Sequence, residues 1–442
     1  MAASFHSALQ LLLLATLFST PAVRTRAAES DTEFLDRLQR AGFDYFWKEA
    51  NPRNGLIRDR STPESKCSIA AVGFGLSALN IGIERGWISR AEGRDRVLTT
   101  LRTFVETSQG PASQGVIGHR GWFYHFLEME TGHRAWNCEL SSIDTALLLA
   151  GVLDSRRFFD GSDDAERRIR DQAGELLRRV DWDWMTDGGD TFTMGWTPEK
   201  GFLRSRWVGY NEAMILYLMG LGARSERAGI AGSAPFRWDA WTRGYTWTNH
   251  FGFQYVPFAP LFGHQYSHCW VDFRGRADAV MRAHGLTYFE NSRRATLAQR
   301  AYCIAQAGRF PNYGPFEWGI TACDGPDGYS ARGAPPAEND DGTLAPTAVG
   351  GSLPFAPEVC LPTLRHLEQR YRDFLWGPYG FRDAFNRTRQ WWATDTLGID
   401  QGAIVLMIEN YRSGAVWRRV TTDPVIEKGL ALADFTPWKS EP

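Results

Sequence analysis

Three carboxylates occupy matching places in the chain. Asp144 lies in SSIDTALLLAG, Glu212 in GYNEAMILYLMG and Asp400 in GIDQGAIVLMIE, each followed at once by an apolar run. Carboxylates gathered in one site can divide acid–base work: one, kept protonated by burial, donates a proton, and another, ionised, activates water. A carboxylate at a helix start is ordinarily a cap, stabilised by free N–H groups and the helix dipole by about 0.3–2 kcal/mol. Three of them in equivalent positions on helices apolar nearly all round ask for more, because a charge beside buried apolar surface needs a partner or a purpose.

Long apolar-periodic segments predict helices near 31–49, 66–85, 89–108, 139–160, 163–180, 209–224, 276–307, 356–375, 400–412 and 423–433, and strand alternation is scarce. The expected fold class is all-α. A helix apolar on every side is covered on most faces, and the run IAAVGFGLSALNIG after Ser68 has the same character as the three acid-bearing helices. Buried helices alternating with amphipathic ones suit a double ring of helices. In such a ring the inner N-termini converge on one mouth, where Asp144, Glu212 and Asp400 would meet. The segment 309–352 is irregular and dense in Gly and Pro, and carries Glu317, Trp318, Asp324, Asp327, Tyr329, Asp340 and Asp341. Its aromatic content predicts an ordered cover. No linker divides the chain, so residues 29–442 are expected to form one domain.

Composition narrows the function classes. Among 442 residues, 49 Lys and Arg oppose 51 Asp and Glu, for a net charge of −2. Such a balance lacks the basic footprint of a nucleic-acid binder. A hydrophobic share of 43% argues against wholesale disorder. The chain holds 18 Trp, 14 Tyr and 27 Phe, enough for a large core and for flat faces on which a sugar could stack. Residues 9–18, LQLLLLATLF, are too short to span a bilayer. Followed by Pro21 and small residues to Ala28, they read as an export signal over 1–28, although no Lys or Arg precedes them. No later segment reads as a membrane span, and no Cys stands at the signal end to carry a lipid. Cys67, Cys138, Cys269, Cys303, Cys323 and Cys360 contain no CxxC pair. Disulfides and buried free thiols are both open to them.

Gly73, Gly75 and Ala78 match GxGxxA but sit inside a helical run with no strand before them, so no dinucleotide site follows. His264 and His268 have helical metal-ligand spacing without a third ligand; they read as sugar-bonding or structural, and neither a metal nor another cofactor is expected. The DGPDG and NDDG runs at 324–328 and 339–342 read as plain turns. Aromatics standing beside Gly or polar residues in irregular segments include Trp122, Tyr124, Trp196, Trp318, Tyr379, Phe381 and Trp391. They are candidates for sugar platforms, with packing under loops as the alternative.

The segments ELSSIDTALLLAG (139–151), GYNEAMILYLMGLG (209–222), LFGHQYSHCWVDFRG (261–275), YGPFEWGITACDGPDGY (313–329), GTLAPTAVGGSLPFAPE (342–358) and LWGPYGFRDAFN (375–386) resemble the glucoamylase-like domain of bacterial endo-β-1,2-glucanases, glycoside hydrolase family 144. The resemblance covers nearly all of the chain after residue 28. It implies an (α/α)6 barrel with long irregular loops at its mouth. It also implies Glu212 of the NEA motif as general acid, Asp400 on the base side and Asp144 as a further functional acid. Within the same motifs Glu139, Tyr210, His264, Gln265, His268 and Glu317 become candidate substrate contacts. The implied protein is an exported bacterial glycoside hydrolase, periplasmic or secreted and monomeric. It would cleave β-1,2-glucan oligo- or polysaccharide by an inverting acid/base mechanism, with neither nucleic acid nor membrane as partner. An exo-acting glucosidase or transglycosylase on the same fold stays open. So do a glycan-binding protein without catalysis and a polysaccharide lyase working through Tyr or His on uronates.

Overall fold

The computed structural model describes residues 29–226 and 234–439; the predicted signal segment 1–28 lies outside the described residues. Helices run in chain order as α1 (Asp31–Lys48), α2 (Ile69–Glu84), α3 (Arg90–Glu106), α4 (Ser142–Phe158), α5 (Asp164–Arg179), α6 (Met214–Glu226), α7 (Trp238–Thr242), α8 (Tyr266–Trp270), α9 (Ala279–Ala283), α10 (Tyr288–Ala305), α11 (Pro346–Gly350), α12 (Pro357–Leu375), α13 (Gly398–Arg412), α14 (Ala415–Thr421) and α15 (Pro424–Leu432). Their starts follow from capping chemistry. Ser30 with Glu33 and Ser89 with Glu92 form reciprocal capping boxes on α1 and α3, and Ser68 and Ser141 cap α2 and α4.

Two kinds of helix result. In α2 every residue from Ile69 to Gly82 is buried, and α13 is buried from Asp400 to Asn410. By contrast α1 buries Phe34, Leu35, Leu38, Gly42, Phe43 and Phe46, the stripe of an amphipathic helix. The fully covered helices pack on one another, α2 between α4 and α13 and α4 against α6, while α1, α3, α5 and α15 pack against this set and α12 packs on α11.

Two of the contacts need glycine. A Cβ on Gly73 of α2 would lie 2.2 Å from the Leu147 carbonyl oxygen, and one on Gly151 of α4 would lie 2.0 Å from that of Gly73. The GxGxxA match is therefore a close helix crossing. The Gly222–Gly429 contact of α6 with α15 is alike: Cβ atoms there would lie 1.8 Å from Val425 O and 1.9 Å from Leu218 O.

The fold departs from the all-α expectation through short antiparallel ladders. Cys67–Ser68 pairs with Phe126–Leu127, and Leu140–Ser141 pairs with Gly195–Thr197. These pairs run directly into α2 and α4, so they fix where those helices begin. Runs of two or three residues carry no alternation that a sequence pattern could reveal. The predicted helix 276–307 is two, α9 and α10, parted by Gly285 at φ +69° and by the Thr287 cap.

The cover segment is ordered. Asp340 accepts from the hydroxyls of Tyr302 (2.9 Å) and Tyr313 (2.7 Å), and Arg332 donates to Asp341 (3.0 Å) and to Cys323 O (2.7 Å). The NDDG carboxylates are thus engaged by protein donors. All six cysteines are unpaired, and all but Cys138 are buried.

Candidate active site

Asp144 is the third residue of α4, and its carboxylate is nearly buried, 13% exposed. Ser141 Oγ accepts from Asp144 N (3.2 Å) and donates to Asp144 Oδ2 (2.5 Å). On the other side stands His125, its Nε2 3.5 Å from Asp144 Oδ1 and its Nδ1 2.9 Å from Glu139 Oε1. Burial works against an imidazolium here, but the charges of Asp144 and Glu139 outweigh it and push the His125 pKa up to about 9. Burial would raise Glu139; the hydrogen bond and charge of His125 reverse this and hold it below the usual range.

Glu212 sits two residues ahead of α6 rather than in its first turn. The backbone before the helix is held by side chains instead. Asn211 Oδ1 accepts from Ala213 N (2.9 Å), Asn211 Nδ2 donates to Gly209 O (3.0 Å), and Ser267 Oγ donates to Glu212 O (2.7 Å). The carboxyl itself is 8% exposed, and its Oε2 has no hydrogen-bond partner. Burial, with a smaller push from the charge of Asp144, raises its pKa to about 7 against the pull of its own backbone N–H.

Asp400, the third residue of α13, is 4% exposed and faces Asp383. Asp383 Oδ1 and Asp400 Oδ2 are buried and take no donor from the protein. Burial raises both carboxyls; the charge and hydrogen bond of Asp383 push Asp400 further up, while the same hydrogen bond works the other way on Asp383, so one proton is held between the two, mainly on Asp400. Asp383 Oδ2 also accepts from Asp324 N (2.6 Å), and Asp324 Oδ2 accepts from Arg60 (3.0 Å), whose guanidinium also lies 3.6 Å from Asp59 and 3.8 Å from Asp395. Tyr266 at the start of α8 joins the two halves: after its own burial, the charge of Asp400 and, more weakly, of Glu212 keeps its phenol protonated. The three acids, 68 and 188 residues apart in the chain, therefore share one electrostatic neighbourhood.

Glu212 opens onto a cavity of about 620 Å³ lined by Met194, Trp207, Tyr210, Asn211, Phe258 and Glu338, among others. A mostly apolar cavity of about 670 Å³ lies among α6, α7, α9 and α15, around Phe236, Trp238 and Leu432, and contains none of the three acids.

The remaining candidates divide. Tyr210 lines the cleft, its ring 4.7 Å from that of His264. Glu139 stands beside His125. Trp196 is half-buried against His119 and Trp184, at the strand that pairs with Leu140–Ser141. Tyr379 donates to Glu49 (2.5 Å), and Trp391 is half-buried over Cys323, Ala345 and Ala384.

Others are placed in the core, which corrects their reading as sugar contacts. Trp122 and Tyr124 have no exposed surface, Trp122 Nε1 donating to Asp181 O (3.0 Å). Trp318 donates to Thr363 (2.9 Å), and Phe381 is buried with its carbonyl accepting from Gln401 (2.7 Å). Gln265 donates to Ala348 O and Ser352, each at 2.8 Å. His264 accepts from Phe258 N (3.1 Å), His268 lies 3.2 Å from Ser292 Oγ, and burial lowers both pKa values to about 3, so both rings are neutral. Glu317 is not in the core: it accepts from Tyr371 (2.7 Å) at a separate cavity bounded by Arg370 and Arg387. Among the described residues no group of three or more His, Cys, Asp or Glu is placed to hold a metal.

Sequence reasoning missed His125, Asp383, Arg60 and Tyr266. Asp383 and Tyr266 lay inside the quoted motifs, yet neither stands in a helical pattern that would mark it.

Residues 204–424 match the Glycoamylase family model, described as "Putative glucoamylase". A "putative glucoamylase" structure from Bacteroides uniformis is 32% identical with a TM-score of 0.83, over 92% of this chain and 98% of that one. The endo-β-1,2-glucanase of Chitinophaga pinensis, solved with sophorotriose and glucose, is 28% identical with a TM-score of 0.82, over 92% and 99%. An exo β-1,2-glucooligosaccharide sophorohydrolase of Parabacteroides distasonis is 31% identical over 91% of this chain. This chain spans 58% of the length of that relative. The protein belongs to the glucoamylase-like family, as the motif resemblance implied, and has its helix-rich fold.

Proposed function

We propose that this protein is a glycoside hydrolase that cleaves β-1,2-linked glucan with inversion. The observation that carries the reading is the Glu212 carboxyl: buried, without a partner, raised to about 7, and opening onto a cleft. Near neutral pH it is protonated in a large fraction of molecules and can donate to a leaving glycosidic oxygen. On the opposite side the Asp400–Asp383 pair, holding one proton between them, carries one negative charge, and the pair takes the proton of the water that attacks beside Asp400. Asp144, held by Ser141 and His125, orients the water or a sugar hydroxyl. The names of the Chitinophaga and Parabacteroides relatives support the choice of linkage.

The buried helices α2, α4, α6, α8, α11 and α13 serve as the inner ring of an (α/α)6 barrel, with α1, α3, α5, α10, α12 and α15 outside. Residues 1–28 act as an export signal, and the remaining chain is one catalytic domain working as a monomer in the periplasm or outside the cell. No helix among the described residues is long and apolar enough to cross a membrane.

The test is incubation of the purified protein with β-1,2-, β-1,3- and α-1,4-glucans, followed by chromatography and by NMR of the nascent anomer. Sophoro-oligosaccharides from the first alone, released as the α-anomer, are expected. Glucose from the α-1,4 polymer or an unsaturated product absorbing in the ultraviolet would overturn the reading. Product length separates endo from exo cleavage.

A further inference from the structure

The rim beside Asp144 carries a tryptophan that the catalytic residues do not use. Trp136 is 61% exposed, the most exposed large hydrophobic side chain among the described residues. Its backbone is left-handed, φ +51°, and so is that of Asn137, φ +78°. Asparagine tolerates that region, but a bulky residue there is strained by about 1–3 kcal/mol and persists only where its surroundings hold it.

The surroundings do hold it. The Arg134 side chain, 1% exposed, donates through Nε to Cys138 O (2.7 Å) and through Nη1 to Glu199 (2.7 Å). Ala135 N donates to Phe126 O (2.9 Å), and Cys138 Sγ lies between the N–H (3.3 Å) and carbonyl (3.4 Å) of the same phenylalanine. A buried arginine and a cysteine therefore clamp a strained turn whose outcome is an indole aimed at solvent. The indole stands edge-on to Phe126 at 5.1 Å, Phe126 stacks on His125 at 4.1 Å, and His125 touches Asp144. Trp136 is thus two ring contacts from the imidazole of the catalytic rim.

We infer that Trp136 is a glucosyl-stacking platform at the outer end of the cleft, engaged by chains longer than those that fill the subsites around Glu212 and Asp144. A flat, rigidly presented ring matches the apolar face of a pyranose and loses little entropy on contact. The inference rests on the glucan reading above.

The experiment compares wild type, Trp136→Ala and Trp136→Phe on a long β-1,2-glucan and on a β-1,2-linked glucotriose. It adds calorimetric titration of both ligands, and of the other glucans of the panel, into the Glu212→Gln background. The polymer-to-trimer ratio of kcat/KM should fall about three- to tenfold in Trp136→Ala and recover in Trp136→Phe. Polymer affinity should fall in the same proportion. Equal losses on both substrates would mark a structural role, and no loss on either, or a change only in oligomeric state, would overturn the platform. Should wild type leave β-1,2-glucan uncut, the glucan reading fails by itself. The titrations then decide Trp136 separately: weaker binding of whichever glucan binds sustains it, and unchanged binding of all refutes it.

Discussion

Glu212 and Asp400 are both buried carboxyls with raised pKa values, yet their surroundings have little in common. Glu212 stands nearly alone, its Oε2 unpartnered, its only charged neighbour of consequence Asp144. Asp400 belongs to a crowd in which Asp383, Asp324 and Asp59 all push its pKa up and one guanidinium, Arg60, anchors the outer members. Desolvation, with a smaller push from Asp144, produces a proton donor on the first side. On the second, burial together with the charge of Asp383 keeps a proton on the pair while leaving one negative charge. The same residue type thus acquires opposite duties from its neighbours.

The contrast is broken most sharply at Glu212. Glu212→Gln should lower kcat by about 10²–10⁴-fold with little change in KM, since it removes the proton donor and keeps the shape. On the other side, Asp400→Asn should cost a similar factor, whereas Asp383→Asn should cost less and act through pH. Removing the Asp383 charge lowers the pKa of Asp400, so the acidic limb of the kcat/KM profile should move to lower pH. An unmoved limb would mean that the two carboxyls do not titrate together.

The Glu212 carboxyl also sets the basic limb of the profile. A donor must hold its proton, so kcat/KM should fall as pH rises through about 7. The same shift has a stability consequence of known sign. The folded pKa is about 7, against 4.5 for a glutamate in water. Ionising the group in the folded state therefore costs about 3 kcal/mol, absent below the unfolded pKa and complete above the folded one. Glu212→Gln should raise Tm at pH 8 and leave it nearly unchanged at pH 4.

The smallest effect is expected at His125, which is 30% exposed and so partly screened by solvent; its folded pKa is also raised, here because the fold favours the charged form. Its stabilisation is full below the unfolded pKa near 6.5 and is lost as pH rises through about 9. Wild type should lose stability across that window relative to His125→Gln, as followed by urea unfolding at several pH values.

Much of this architecture can be read from residue order. The all-round apolar runs after Ser68, Ser141 and Leu397 predict covered helices, and α2, α4 and α13 are covered. The same patterns single out Asp144 and Asp400 as the third residues of theirs. Glu212 was found by the same signal, but its helix starts two residues later than the pattern suggests, because Asn211 and Ser267 hold the preceding turn in place of helical hydrogen bonds. Short elements were not legible: α8 and α11 have five residues each, too few for a period to register. The aromatics misled in a consistent way. Trp122, Tyr124 and Trp318 stand beside polar residues in the chain and are nevertheless buried. Sequence adjacency says what a ring is next to, not what lies over it.

What the order of residues determined by itself is the long buried helices and the acids at two of their starts, because periodicity, capping and propensity act over a few neighbouring residues. Which carboxyl meets which, that Asp383 shares a proton with Asp400, and that Arg134 holds the strained turn bearing Trp136 were decided only in three dimensions. Those outcomes depend on desolvation and on charge–charge distance, and both quantities exist only once residues far apart in the chain have been packed together.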